Sequence, residues 1–192
     1  MNALYVMRPN MQLESNGCKS DDPLCEIADF IYDNKRSLDW HVPKIIFPTT
    51  SRTLVRLDCY LLDNYLQLVS DTFRRAVDLT FPGGTNFLQC IDGETSSWWI
   101  MFPQFLDRAL FHDLPTDIPV DYCIANELSL LRAPTSSQID VMRLPSFPTT
   151  IIVSSRFKAF VNARSFSGFE FHDAYKYTTM HAVFGYEYPW HL

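Results

Sequence analysis

The sequence predicts an α+β fold of mixed sheets and short helices, built around two similar strand-helix-strand units about 84 residues apart. An ungapped comparison of the chain with itself carries this expectation. Shifted by 84 positions, Leu68-Val69-Ser70 aligns with Ile152-Val153-Ser154, Phe73 with Phe157, Arg74 with Lys158, Val77 with Val161, Gly84 with Gly168 and Phe87 with Phe171. Each copy reads as a strand, a capping serine, a helix with an aromatic on its buried side, a glycine turn and a second strand. The serine oxygen accepts from open N–H groups of the first helical turn. The phenylalanine pins the helix to the sheet, and glycine supplies the positive φ with which the chain turns back. Two further observations agree. Short apolar runs of strand length alternate with stretches of helical periodicity. The 192 residues, set against roughly 150 per domain, suit one globular domain with its own core.

Taken in order, Ala3 to Met7 is apolar and suits a short strand, and Asn10 to Ser20 reads as a loop. Asp22 is placed to cap a helix, with Pro23 at the first helical position where its missing donor costs nothing. That helix, running to about Lys35, puts Leu24, Ile27 and Ile31 on one face. Asp22, Glu26, Asp29 and Asp33 fall within about 60° of one another on the opposite face. A solvated outer face is the ordinary meaning of such a stripe; a docking surface for a basic partner is the sharper one. Ile45-Ile46-Phe47, between Pro43 and Pro48, suits a short strand. Leu57 to Val69 is dense in Leu and Tyr and ends in a strand from Tyr65 to Val69.

Ser70 then caps a short helix that carries Phe73, Ala76 and Val77 inward. Pro82-Gly83-Gly84 is a turn, Asn86 to Ile91 a strand, and Trp98 to Phe102 another apolar run. Pro103 opens an expected helix with Phe105, Leu106, Ala109 and Leu110 on one stripe, closed by Pro115 and Pro119. The expected organisation is an N-terminal strand and acidic-helix region over 1–59, packed on an α+β region over 60–192.

Composition excludes several functions. Acid outnumbers base by 22 to 16, a net charge of −6 that argues against non-specific binding to nucleic acid or anionic membrane. The six glycines, about half the usual share of roughly 7%, stand at no dinucleotide-loop or phosphate-loop spacing. The G-x-S-x-G nucleophile elbow is absent too. Cys18, Cys25, Cys59, Cys90 and Cys123 form no C-x-x-C pair and no zinc rhythm, so buried thiols of a reducing compartment are expected. No signal-peptide pattern and no run of 18 apolar residues appears.

The segment Asp140-Val141-Met142-Arg143-Leu144, then Thr150-Ile151-Ile152-Val153-Ser154-Ser155-Arg156-Phe157-Lys158 and Gly168-Phe169-Glu170-Phe171, resembles a bacterial immunity-protein family of polymorphic toxin systems, immunity family eleven. That family has an aspartate leading into a Phe-Arg-Leu-like strand, an apolar strand ending in Val-Ser, a helix with Phe or Leu and Lys, and a final Gly-x-x-Phe. Met142 stands where an aromatic is more usual. The resemblance extends through Leu66 to Leu110, where Asp92-Gly93-Glu94 precedes Trp98-Trp99-Ile100, and covers residues 60 to 173. It implies a cytoplasmic, non-enzymatic antidote that binds a cognate toxin effector, with no cofactor. Ser154, Phe157, Gly168 and Phe171 carry over as scaffold positions, and no toxin-contacting residue carries over.

The residues hold some competing chemistry. The doublets His112-Asp113 and His172-Asp173 invite a metal-hydrolase reading, although His112 at a helix end also suits the dipole. Cys123 near Asp121 is the nearest candidate thiol nucleophile. A small hydrolase using His112, His172 or Cys123 is therefore the alternative to a toxin-binding protein. For binding, the acidic stripe Asp22, Glu26, Asp29 and Asp33 would steer a basic partner. Within the aromatic C-terminal stretch, Tyr186, Tyr188 and Trp190 would anchor it.

Overall fold

A computed structural model of the chain describes residues 3–10, 17–21, 42–47, 57–62, 66–92, 96–104, 140–144 and 147–177. The first strands are β1 (Leu4–Pro9), β2 (Gly17–Ser20), β3 (Ile45–Ile46), β4 (Cys59–Leu62) and β5 (Leu66–Ser70). Helix α1 (Asp71–Thr80) follows, then β6 (Thr85–Asp92) and β7 (Ser96–Pro103). Beyond them come β8 (Val141–Leu144), β9 (Phe147–Ser154), helix α2 (Ser155–Ala163) and β10 (Phe169–Asp173). The expected α+β class is what the chain adopts.

Both helices start as the sequence demands. The Phe73 N–H donates to Ser70 Oγ at 3.1 Å, and the Phe157 N–H donates to Ser154 Oγ at 3.1 Å. Each serine hydroxyl in turn donates to an aspartate one strand upstream, Ser70 to Asp58 at 2.7 Å and Ser154 to Asp140 at 2.6 Å. The same aspartates accept the serine backbone N–H groups on their carbonyl oxygens, at 3.0 and 2.9 Å. Helix α1 buries Phe73 and Val77, four residues apart on one face, and α2 buries Phe157, Phe160 and Val161.

The sheets are ordered β10-β1-β9-β8 and β3-β2-β4-β5-β7-β6. In the six-stranded sheet only β2 with β4 is a parallel strand pair. Its two edges meet: Lys44 and Ile91 form a parallel bridge, and the Ile91 N–H donates to the Pro43 carbonyl at 3.1 Å. The sheet is thereby rolled into a barrel. Its interior is an apolar cluster that includes Cys18, Ile45, Leu62, Leu68, Leu88 and Ile100. Phe47, Tyr60 and Trp98 pack ring on ring there, with centroids 5.1–5.4 Å apart.

Strand pairing extends the duplication beyond the sequence match. In the first unit β7 lies between β5 and β6, antiparallel to both, with Leu68 opposite Ile100 and Phe87 opposite Met101. In the second unit that central place is taken by β1, antiparallel to β9 and β10, with Ile152 opposite Val6 and Phe171 opposite Met7. Except for Ile151, every residue of β9 and β10 paired with β1 lies 84 positions after a residue of β5 or β6 paired with β7. The second unit is therefore completed by a strand from the far end of the sequence, and the duplication is circularly permuted. A further pair repeats with it: Arg74 lies 4.4 Å over the Trp99 ring, and Lys158 lies 3.8 Å over the Tyr5 ring.

The units share one core. Val69, Phe73, Val77 and Met101 of the first pack with Met7, Val153, Phe157 and Val161 of the second. The rings of Phe73 and Phe157 meet edge-on at 6.4 Å. Asp58 clips the units together, its carboxylate accepting from the backbone N–H and the hydroxyl of Ser167 at 3.0 and 3.3 Å. Arg143, on β8, is buried: its Nε donates to the Pro103 carbonyl at 2.7 Å and its guanidinium stacks 3.7 Å over Phe102.

Several expectations are corrected. Gly17–Ser20 is strand β2 rather than loop, because Cys18 faces the barrel interior while Lys19 faces outward, an alternation too short to stand out in the sequence. Within the dense stretch from Leu57, the expected strand up to Val69 is β5, and an unexpected strand β4 pairs with it antiparallel. Pro103 closes β7 opposite Thr85 and does not open a helix; lacking an N–H, it suits a strand end. The glycine equivalence is offset by one: Gly83 and Gly168 have φ of +75° and +85°, whereas Gly84 does not enter the left-handed region. The expected helices at 22–35 and 105–110 lie outside the described residues.

Candidate functional site

Among the described residues, polar side chains converge on the outer face of β1 and β10. Alternation on β1 sends Met7 to the shared core and leaves Val6 and Arg8 on the opposite side. Register then sets Arg8 beside Glu170 and Val6 beside His172. Arg8 Nε lies 2.6 Å from Glu170 Oε1, and His172 Nε2 lies 3.2 Å from the same oxygen. Tyr177 closes the group: Arg8 donates to its hydroxyl at 3.1 Å, and its ring packs 5.5 Å from the imidazole. His172 lies within β10, and its side chain is 42% exposed.

Glu170 Oε1 is thus shared between the Arg8 guanidinium and the His172 imidazole. No three His, Cys, Asp or Glu side chains among the described residues are placed to hold a metal ion. The three described thiols are buried. Burial pushes the Cys90 thiol up to about 12, with a hydrogen bond at the Ile100 backbone pulling weakly the other way. Burial, with smaller contributions from Cys18 and Asp58, pushes Cys59 well above the ordinary thiol range. Neither is a nucleophile near neutral pH.

No protein-family model matches the chain, and no curated protein matches it. Four positions expected to be scaffold have clear places: Ser154 caps α2, Phe157 is fully buried, Gly168 turns into β10, and Phe171 faces the shared core.

The expected partner contacts Asp22, Glu26, Asp29, Asp33, Tyr186, Tyr188 and Trp190 lie outside the described residues, as do His112 and Cys123. Of the residues singled out for chemistry, His172 is the one placed here. The Arg8 cluster escaped sequence reasoning because Arg8 and Tyr177 are 169 positions apart. Val42, Ile46 and Ile91, exposed along the barrel seam, escaped it for the same reason. The alternation of Phe169 to Asp173 was the available signal that Glu170 and His172 share a face.

Proposed function

We propose that the chain is a non-enzymatic immunity protein that binds a cognate bacterial toxin effector in the cytoplasm and neutralises it. The observation that carries this reading, beside the resemblance, is how charge is divided. The described residues hold ten of the 16 Lys and Arg and eight of the 22 Asp and Glu, which leaves six bases and fourteen acids in the remainder. The double-sheet scaffold is thus nearly balanced. The acid excess lies in the remainder, which includes Asp22, Glu26, Asp29 and Asp33. A nearly balanced frame together with acidic remaining stretches suits capture of a basic enzyme, where charge steers encounter and buried aromatics slow release. Among the described residues no helix is long and apolar enough to cross a membrane.

Co-expression with the product of the neighbouring reading frame tests the reading. A stable complex that abolishes that product's toxicity is expected; an innocuous neighbour that does not co-purify would overturn it. Within the complex, Asp22→Lys, Glu26→Lys, Asp29→Lys and Asp33→Lys together should slow association about tenfold or more and flatten its dependence on salt. An unchanged association rate would remove the stripe from the interface. His172→Ala should leave neutralisation intact, whereas loss of a measured hydrolytic activity in that variant would favour an enzyme.

A further inference from the structure

We propose that β1 is an exchangeable strand, and that the groove between β9 and β10 accepts it from a second copy of the chain, so that two copies trade strands and close as a dimer. The two units show why. In the first, the central strand β7 is tied to its neighbour β6 by only three residues, 93–95, and cannot leave without it. In the second, β1 occupies the equivalent place yet is joined by a turn to neither β9 nor β10. The groove is a binding site whose ligand is held by non-covalent contacts: strand pairing, packing, and a few polar side-chain contacts.

That ligand is an extended apolar segment of defined pattern. Leu4 and Val6 fill the outer face with Met142, Leu144 and Ile152, and Met7 faces the shared core. Lys158 stacks on Tyr5, Arg8 pairs with Glu170, Ser155 Oγ donates to the Ala3 carbonyl at 3.0 Å, and the Asn10 N–H donates to the Gly168 carbonyl at 2.8 Å. These polar partners belong to the second unit; from the first, Gln67 Nε2 donates to the Met7 carbonyl at 2.5 Å, and Val69, Phe73 and Met101 share the core with Met7. The connection 11–16 links β1 to β2 and spans at most about 20 Å when extended. Each copy carries both strand and groove, so exchange is reciprocal and the assembly closes on a two-fold axis. Docking within one chain benefits from an effective concentration in the millimolar range. The monomer therefore dominates when dilute, and exchange appears when chains fold together at high concentration.

The Arg8–Glu170 pair provides the test. Arg8→Glu in one chain and Glu170→Arg in another, each with a tag of distinct mass, are unfolded and refolded separately and mixed, at high concentration. Mass is then read by light scattering and native mass spectrometry. In a strand-exchanged heterodimer the altered position 8 meets the altered position 170, and the native Arg8 meets the native Glu170. Both opposite-charge pairs are rebuilt, and this happens in no monomer or homodimer of either variant. The expected result is a folded heterodimer several-fold in excess of both homodimers, with the double variant in one chain returning to the behaviour of the unaltered protein. Monomers only, homodimers and heterodimers in statistical proportion, or unaltered protein that refolds solely as monomer would each overturn the proposal. Should either single variant fail to fold alone, the mixture still decides, since only exchange gives it a folded product.

Discussion

At Gly168 the backbone takes a φ of +85°, and a β-carbon there would stand 2.5 Å from the carbonyl oxygen of Cys59. A side chain meets both an unfavourable backbone angle and an immovable neighbour, so Gly168→Ala should cost more than about 2 kcal/mol in urea unfolding. Gly84→Ala meets only Phe81 O at 3.5 Å without a positive φ, and should stay within about 0.5 kcal/mol. Similar losses at both positions would contradict the one-residue offset between the units. The caps give a matched pair: Ser70→Ala and Ser154→Ala should each lower stability by roughly 1–2 kcal/mol, and the double variant should be additive within about 0.5 kcal/mol. The thiols set an alkaline limit. For Cys90, raised from 9.0 to about 12 in the fold, the unfolded chain releases its proton first. Its contribution is complete below pH 9 and is lost as pH climbs from there towards 12, at about 1.4 kcal/mol per pH unit. Cys90→Ala should make the decline above pH 9 shallower, as followed by unfolding midpoints.

Among the elements, the repeated cation-aromatic contacts bind each helix to the central strand beneath it. Double-mutant cycles on Arg74 with Trp99 and on Lys158 with Tyr5 should return couplings of roughly 0.5–1 kcal/mol. The first should be the larger, because the Trp99 indole also donates to Asp71 at 3.0 Å and Asp71 holds Arg74 at 3.2 Å. Helix α1, both capping serines and the strands on either side of each helix were legible in the sequence, because their signals are local. A serine three residues before a buried phenylalanine, and a strand-length apolar run before it, need no distant partner to be recognised. β2 was not legible: four residues with a lysine and a serine among them acquire strand character only from β3 and β4 alongside. Nor was the end of β7, where Pro103 carries the same signal whether it opens a helix or finishes a strand. For the candidate site, Glu170 and His172 could be placed on one face by alternation, but Arg8 and Tyr177 could not, since nothing in the sequence pairs β1 with β10.

Across the whole molecule, one 84-residue repeat explains two sheets of unequal size. The four-strand pattern β4-β5-β7-β6 recurs as β8-β9-β1-β10, and β2 and β3 are added to the first copy, rolling it into a barrel. Among the described residues, the barrel interior is filled with side chains rather than open. The permuted order also has a consequence for synthesis on the ribosome. β1 emerges ahead of both strands that flank it, and at roughly 5–20 residues per second the delay before β10 appears is on the order of 10–30 s. For that interval Leu4, Val6 and Met7, all buried in the finished protein, have no sheet to enter. The first unit can complete its hairpins while the chain is still growing, whereas the second must await Asp173. Translation thus divides two structurally equivalent halves into an early one and a late one.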